Sequence, residues 1–379
     1  MEQLNFRWGR NGERAAILSA ADAFFSSSGQ GGFAALLPRY YGSDADFSSQ
    51  HFLALEGTRI VGLLAAFPFT LSVYGTMLSA CAIGMVSTAP DQRGRGVMSA
   101  LLCQAIEALR ARGTVICTLG GQRRRYEHFG FEPCGTLAEY VFTPSSLGLT
   151  DADTADFLLR PFAGEDDVLH AHMLSQRRGI HVVRPAAQFG AICRTWGGVP
   201  LVLDKNGSFA GYAVTSRRGD LLYEAELADP DDLAAALYCC LRGRGLSELR
   251  YSLLPDEPRE AAQLNRCCEY ANIGVCHSFL PLAPLALLRA CFQGAPAPRA
   301  DGRFVLEVSG WGRFSFEIEG GRAEVRPTAA PAALSLDPLA AMQLLFAPLG
   351  AAGLAREISR QIPAGWLPLP LFLPRLDQC

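Results

Sequence analysis

The sequence predicts an α+β protein in which mixed, mostly antiparallel sheets are flanked by helices. In its first part, strand-like apolar runs precede and follow one amphipathic helix, and the same order of elements starts again at about Leu158. A third part, after a Pro- and Ala-rich segment at 294–298, carries antiparallel strand patterns and a capped helix. We therefore expect three units, at residues 1–147, 148–286 and 287–379.

The first strands are predicted to form a meander. His51–Glu56 and Ile60–Phe69 flank a turn at Gly57-Thr58, and Tyr74-Gly75-Thr76 turns the chain into a third run, Met77–Thr88. A membrane span of about 20 apolar residues is the alternative, because no charge occurs between residues 59 and 91. Polar and turn-forming residues interrupt this run, which favours strands buried on both faces.

A basic, glycine-rich turn joins the third strand to a helix. Arg93-Gly94-Arg95-Gly96 precedes Val97–Arg112, in which apolar residues recur at the spacing of one helix face. The first N–H groups of a helix lack backbone partners and, with the positive end of the dipole, bind anions. A P-loop would need Gly-Lys-Ser/Thr, and a dinucleotide fingerprint would need a third Gly or Ala where Ser99 stands. Neither pattern fits.

A second motif follows this helix. Thr114–Leu119 is predicted as a short strand, and Gly120-Gly121 comes after it. The segment that then ends the motif contains Tyr126, Phe129, Gly130 and Phe131.

The two motifs, in this order, resemble those of the GNAT acetyltransferases. In that family an Arg/Gln-x-x-Gly-x-Gly/Ala turn, here Arg93 to Met98, cradles the coenzyme A pyrophosphate, and a Tyr-x-x-Phe-Gly-Phe/Tyr element follows. Met98 replaces the usual final small residue. The resemblance implies acetyl-CoA as the acetyl donor, without a metal, held by Val86, Ser87, Thr88, Arg93, Gly94, Arg95, Gly96, Val97, Met98, Ser99 and Gly121.

The second unit is predicted to be a GNAT-like domain that binds no cofactor. A hairpin crosses Lys205-Asn206-Gly207, and Leu221–Ala228 is a further strand. Asp229-Pro230 starts a helix that runs to about Arg242. The sequence Arg-Gly-Arg-Gly at 242–245 lies after this helix, at the end where the dipole does not favour a phosphate.

The third unit resembles a sterol carrier protein-type α/β domain. Phe304–Val308, Arg313–Glu319 and Ala323–Arg326 are predicted strands, with a turn at Gly320-Gly321. Asp337-Pro338 is predicted to cap the helix that follows.

Taken together, the three units are similar to the enhanced intracellular survival family of acetyltransferases. In that family the end of the chain enters the active site of the first domain. The resemblance makes the terminal carboxylate of Cys379 the general base and Tyr126 the general acid, and it implies a homo-oligomer such as a hexamer. The apolar, proline-stiffened tail 371–379 is unlike a free end, which favours such docking.

The chemistry of amine acetylation needs these groups independently of the family. An amine attacks a thioester only when it is neutral, so a base takes its proton, and the thiolate leaving group benefits from an acid. A backbone N–H on the strand at 86–88 is expected to stabilise the oxyanion. The other interpretation of Tyr126 is a core tyrosine packed against Phe129.

Composition excludes several classes of protein. With 34 Lys and Arg against 37 Asp and Glu, the chain has no broad basic surface for nucleic acid. Met1–Phe25 lacks the apolar core of a signal peptide, so we expect a cytoplasmic protein. The twelve cysteines lack zinc-knuckle spacing, and buried reduced thiols are expected.

The sequence thus predicts an N-acetyltransferase that moves an acetyl group from acetyl-CoA to a primary amine. The resemblance allows aminoglycosides, polyamines or protein lysines as the acceptor. Aromatic residues at Phe24, Phe25, Phe67 and Phe69 are candidates to line a cationic-amine pocket, although aromatics at strand spacing are more often core. Two alternatives stay open: a coenzyme A-binding regulator without catalysis, and a lipid carrier that uses the last domain.

Overall fold

The computed structural model describes residues 4–25, 32–42, 46–254, 258–295, 299–350 and 361–379. In the first unit the elements are β1 (Asn5–Trp8), α1 (Arg14–Phe25), α2 (Phe33–Leu36), α3 (Pro38–Tyr41), β2 (His51–Glu56), β3 (Arg59–Val73), β4 (Thr76–Thr88), α4 (Val97–Ala111), β5 (Ile116–Leu119), α5 (Arg123–Tyr126), β6 (Glu132–Phe142) and α6 (Pro144–Leu147). The predicted meander is confirmed as β2, β3 and β4, each paired antiparallel with the next.

The second unit repeats this order of strands and helices apart from an additional strand, β8. Its elements are β7 (Phe157–Pro161), α7 (Glu165–Ser175), β8 (Ile180–Val182), α8 (Ala186–Ile192), β9 (Val199–Lys205), β10 (Ser208–Thr215), β11 (Leu221–Leu227), α9 (Leu233–Arg242), β12 (Leu249–Leu253), α10 (Pro258–Cys267) and β13 (Tyr270–Pro281). The hairpin at Asn206-Gly207 is confirmed. Gly243 is the C-cap of α9, so the second Arg-Gly-Arg-Gly sequence lies at the carboxyl end of its helix, as predicted.

One long sheet runs through both units. Its strand order is β1-β2-β3-β4-β5-β13-β6-β12-β11-β10-β9-β7, with β8 paired to β3. Only β4–β5 and β11–β12 among the described pairs of this sheet are parallel, which confirms a mixed, mostly antiparallel sheet. The strand β13, from the second unit, lies between β5 and β6 of the first, so the sheet is continuous across residue 147.

The parallel pair β4–β5 separates at its carboxyl end. Its pairing runs from Ala80 with Ile116 to Ile83 with Leu119, and β4 then continues to Thr88 after β5 has ended. At the same level β4 contains a bulge, since Met85 and Val86 together face only Leu64 of β3. Met85 takes a positive φ of 53° there. A bulge bends its strand and leaves a residue outside the regular ladder, so a gap opens between the two strands. We call this gap the fork.

The third unit has a separate four-stranded sheet. Its elements are α11 (Pro284–Gly294), β14 (Gly302–Val308), β15 (Gly312–Glu319), β16 (Arg322–Pro327), β17 (Leu334–Leu336) and α12 (Pro338–Phe346), with strand order β16-β15-β14-β17. The predicted cap is confirmed, because the Asp337 side chain accepts the N–H of Ala340. Residues 296–298 of the predicted linker lie outside the described part of the chain.

The carboxyl-terminal tail returns to the long sheet. Six of its apolar side chains are buried, five of them in a core to which all three units contribute and the last in a core of the second unit: Trp366, Leu369, Leu371, Phe372, Leu373 and Leu376. The indole N–H of Trp366 donates to Ala300 O at 2.9 Å, and the N–H of Leu369 donates to Leu345 O at 2.6 Å. This packing leads the last residues into the fork.

Candidate active site

The glycine-rich turn forms an open cradle at the start of α4. Gly94 and Gly96 have φ values of 77° and 76°, a conformation that favours glycine, and Gly96 is the N-cap of α4. A Cβ built on either glycine would meet nothing within 4 Å. Open space therefore lies beside the start of this 15-residue helix, where an anion-binding helix start requires it.

A cleft of about 650 Å³ lies over this turn. Most of the predicted donor-binding residues line it: Val86, Ser87, Thr88, Arg93, Gly94, Gly96, Val97, Met98 and Ser99. The structure does not place Arg95 or Gly121 on its wall. The Arg95 guanidinium turns back to donate to the Gln92 side chain, and Gly121 lies under the Tyr126 ring.

Sequence reasoning missed four residues of this cleft as donor-site residues. They are Phe24, Phe25, Gln92 and Arg125. The two phenylalanines come from α1, about 70 residues before the turn, so no local motif connects them with it. Arg125 adds a second guanidinium to that of Arg93, which favours an anionic ligand.

The terminal residue lies in the fork. A methyl group built on Gly84 would lie 2.9 Å from Cys379 Sγ and 3.4 Å from the carboxyl carbon, and one built on Gly120 would lie 3.9 Å from Cys379 O. Gly84 and Gly120 directly follow Ile83 and Leu119, the last paired residues of β4 and β5. The terminal carboxylate thus stands where the strands separate, and burial raises the pKa of the Cys379 thiol to about 12.

Gly84 has no side chain and so leaves room for Cys379 in the fork. The variant Gly84→Ala is expected to push Cys379 out of the fork. With Cys379 as the predicted general base, kcat should then fall by roughly tenfold to 10²-fold, since misplacing a reacting group by about 1 Å has effects of this size. Steady-state kinetics with purified protein measures the change. Gly274→Ala is the control, because a Cβ on that strand glycine meets nothing within 4 Å. An unchanged kcat for Gly84→Ala would show that the terminal position is unimportant.

Tyr126 packs over Gly121, the residue that follows Gly120. Its side chain is 7% exposed, and its ring covers Gly121, where an added Cβ would lie 2.7 Å from Tyr126 Cε2. Burial raises the pKa of the Tyr126 hydroxyl, so the proton is retained at neutral pH. The ring also makes an edge contact with Phe131, at 6.5 Å between centroids, and packs in the core that includes Phe129. Tyr126 is therefore a packed residue whose ring lies one residue along the chain from Gly120.

Aromatic and sulfur-containing residues form the opposite side of the fork. Tyr40 stacks on Phe67 with 3.6 Å between ring centroids. The Tyr41 hydroxyl contacts His51 Nε2 at 2.9 Å and Met85 Sδ at 2.6 Å. Burial lowers the pKa of His51 to about 4, which keeps this imidazole neutral. Sequence reasoning singled out Phe67 but missed its partners.

Trp196, from the second unit, also reaches the terminal segment. Its indole N–H donates to Gln378 O at 3.2 Å, and its backbone takes a positive φ of 56°. His277 on β13 approaches from the other side, since a Cβ on Gly120 would lie 3.4 Å from His277 Cε1. No local pattern in the sequence indicates that Trp196 or His277 lies near the end of the chain.

Comparison with known proteins supports the interpretation of the first unit. Residues 11–134 match the family model described as an acetyltransferase (GNAT) domain. These residues form a GNAT domain. Comparison with curated protein sequences gives no significant match.

Several solved structures share the fold of the whole chain. A GCN5-related N-acetyltransferase from Anabaena variabilis aligns with a TM-score of 0.70 and 16% identity over 100% of both chains. A GCN5-related N-acetyltransferase from Kribbella flavida aligns with a TM-score of 0.69 and 18% identity, also over 100% of both chains. Eis1 from Mycobacterium abscessus gives 0.67 and 16%, covering 98% of this chain and 99% of its own. At these identities the likeness concerns the fold, of which the GNAT domain is the first part.

Three further properties concern the described residues. Within them, no helix has the length and apolar character needed to cross a membrane. The same part of the chain contains no group of three or more His, Cys, Asp or Glu side chains arranged to hold a metal ion. All twelve cysteines are free thiols.

Proposed function

We propose that this protein is an N-acetyltransferase that transfers the acetyl group of acetyl-CoA to a primary amine. The observation that carries the proposal is the terminal carboxylate in the fork, beside a glycine-rich turn that opens α4. A GNAT domain supports an acyltransferase activity. The acceptor is proposed to be a small cationic amine, such as an aminoglycoside or polyamine, or a protein lysine.

The donor binds along the cleft in this proposal. Its pyrophosphate accepts hydrogen bonds from the N–H groups at Gly96 and Val97, and Arg93 and Arg125 balance its charge. The pantetheine arm then follows β4 from Thr88 towards the bulge. This path brings the thioester to the fork, where the terminal residue stands.

The proposal assigns one group of the site to each step of the transfer. The Cys379 carboxylate takes a proton from the ammonium of the acceptor, and the neutral amine attacks the thioester carbon. The C–N bond forms while a backbone N–H of the β4 bulge donates a hydrogen bond to the oxyanion. The carboxylate, after passing its first proton to solvent, takes the remaining proton of the attacking nitrogen, and the C–S bond breaks as the carbonyl re-forms. Tyr126 donates its proton to the departing thiolate and regains one from solvent.

Removal of the Tyr126 hydroxyl is expected to affect turnover and not donor binding. In Tyr126→Phe the buried ring stays, and kcat should fall by on the order of 10²-fold, the usual contribution of a general acid. The affinity for acetyl-CoA, measured by calorimetry, should change little. Tyr140→Phe removes another buried tyrosine hydroxyl, in a core that β6 shares with the second unit, and serves as the control. If Tyr126→Phe keeps kcat within about threefold, Tyr126 acts only in packing.

A panel of amines tests the activity as a whole. Purified protein is mixed with acetyl-CoA and each amine, and the released coenzyme A thiol is measured. Amine-dependent release, with the acetylated amine found by mass spectrometry, supports the proposal. Tight acetyl-CoA binding without release by any amine would favour a regulator. Absence of acetyl-CoA binding, together with lipid bound to the third unit, would favour a lipid carrier.

The remaining features follow the family resemblance and belong to the same proposal. They are membership of the enhanced intracellular survival group, the boundaries 1–147, 148–286 and 287–379, the sterol carrier-like third domain, a homo-oligomer and a cytoplasmic location. Sedimentation of the full chain measures the oligomeric state directly.

A further inference from the structure

A buried carboxylate lies two residues before the chain terminus. Asp377 is 1% exposed and receives hydrogen bonds from two arginines. Arg39 Nη1 donates to Asp377 Oδ1 at 2.9 Å, and Arg184 Nη2 donates to Oδ2 at 2.7 Å. Arg184 Nε lies 3.2 Å from Oδ2. These charge-assisted bonds fix the carboxylate on both of its oxygens.

The two arginines come from different units of the fold. Arg39 is in α3 of the GNAT domain, and Arg184 follows β8 of the second unit. Their side chains are 5% and 3% exposed. Arg184 also binds Glu224 through two hydrogen bonds of 2.7 Å, and Tyr212 donates to that glutamate. We call Arg39, Asp377, Arg184 and Glu224 the clamp.

The clamp balances its own charge. Two guanidiniums face two carboxylates, so none of the four is a buried charge without a partner. Loss of the Asp377 charge would leave Arg39 without its ion-pair partner. The network therefore holds the terminal segment to both units at a single point.

This point is close to the terminal carboxylate. Asp377 ends a short 3-10 turn, and Gln378 and Cys379 follow it. Two residues span at most about 7 Å, so a fixed Asp377 side chain limits where the terminus can stand. Trp196 holds the intervening carbonyl of Gln378 at 3.2 Å. Gly84 and Gly120 then border the last residue.

We propose that Asp377 is a positioning residue: held between Arg39 and Arg184, it sets the place of the terminal carboxylate in the fork. The inference rests on the proposed function, in which that carboxylate is the general base. Asp377 does not touch the reacting atoms. A competing interpretation is that the ion pairs only keep the tail folded onto the protein.

Two variants separate positioning from folding. Asp377→Asn removes the charge, whereas Asp377→Glu keeps the charge but lengthens the side chain by one methylene. A structural role predicts that Asp377→Glu restores both thermal stability and kcat. Positioning predicts that Asp377→Glu folds like the parent but has a kcat lowered at least about tenfold, with KM for acetyl-CoA within about twofold. This result does not depend on whether Asp377→Asn folds.

Asp204→Asn is the matched control. Asp204 is a nearly buried carboxylate of the second unit and accepts from Arg160 Nε at 2.6 Å. Its loss disturbs a comparable ion pair far along the sheet from the fork, so kcat should stay at the parent value. A kcat for Asp377→Glu equal to that of Asp204→Asn and of the parent would overturn the proposal.

The terminal cysteine allows the position to be observed directly. Residues 1–378, prepared as a thioester, react with free cysteine to restore the native chain, and carboxyl-labelled ¹³C-cysteine places the label at the terminus. In Asp377→Glu the ¹³C resonance should be displaced from that of the parent, whereas Asp204→Asn should leave it unchanged. An unchanged resonance in Asp377→Glu would overturn the proposal.

The same ligation distinguishes failure of this inference from failure of the proposed function. Cysteamine in place of cysteine gives a chain that ends in the same thiol but has no carboxylate. If the cysteamine chain is inactive and Asp377→Glu is fully active, the assignment of the carboxylate as general base is supported and the proposal about the clamp fails. If the cysteamine chain is fully active, the base assignment fails, and the ¹³C resonance still decides whether Asp377 positions the terminus.

Discussion

Two glycines added after Cys379 are expected to lower kcat by at least about 10²-fold, the usual contribution of a general base. The extension converts the Cys379 carboxylate into an amide and moves the charge by up to about 7 Å. The terminal residue stands against Gly84 and Gly120, so the longer chain has no equivalent place for its new carboxylate. Steady-state kinetics gives kcat, and calorimetry should give an almost unchanged affinity for acetyl-CoA.

The chains ligated with cysteine and with cysteamine are the control for this result. They have equal length and the same thiol, so a difference in kcat between them reports the carboxylate alone. The cysteine-ligated chain should match the parent, and the cysteamine chain should match the extended one. Normal turnover of the extended protein would mean that a side chain or a water takes the proton.

Gly96→Asp is expected to abolish binding of acetyl-CoA. The N-cap position of α4 would then carry a carboxylate where the pyrophosphate is proposed to lie. Two like charges 4 Å apart repel by about 4 kcal/mol at an effective dielectric of 20, so we expect affinity to fall by about 10²-fold or more. Calorimetry on the folded variant measures this affinity.

Gly207→Asp is a closely matched control for this variant. Gly207 has the same φ of 76° as Gly96, and a Cβ there also meets nothing within 4 Å. It lies in the β9–β10 turn of the second unit, away from α4. Backbone strain is therefore equal in the two variants, and only the position of the new charge differs. Equal affinity of both variants and the parent would contradict a donor site at the turn.

The parts of the fold that sequence predicted are those with local signals. Apolar runs on either side of Gly57 predict the hairpin of β2 and β3. A change in the spacing of apolar residues at the glycine-rich turn predicts that β4 ends and α4 begins there. Most residues predicted to bind the donor meet in one cleft for the same reason, since they lie within the single segment 86–99. A strand, a turn and a helix that are consecutive in sequence are adjacent in space.

The position of β13 in the sheet has no local signal in the sequence. This strand lies between β5 and β6, although more than a hundred residues separate it from either in sequence. Its alternation of residue types is compatible with any neighbouring strand, because β pairing is chosen by packing against partners. The same applies to β8, which joins the edge of β3 and brings Arg184 towards the tail.

The sequence by itself determined the glycine-rich turn before α4, the Tyr126 motif and the repeated order of elements, since each depends on residues a few positions apart. Only the tertiary structure decided which groups surround the reacting position. Arg39 and Asp377 are 338 residues apart in sequence, and Trp196 and Gln378 are 182 residues apart. Such contacts form only when burial of the tail between units outweighs the entropy of closing long loops. No local pattern encodes that balance.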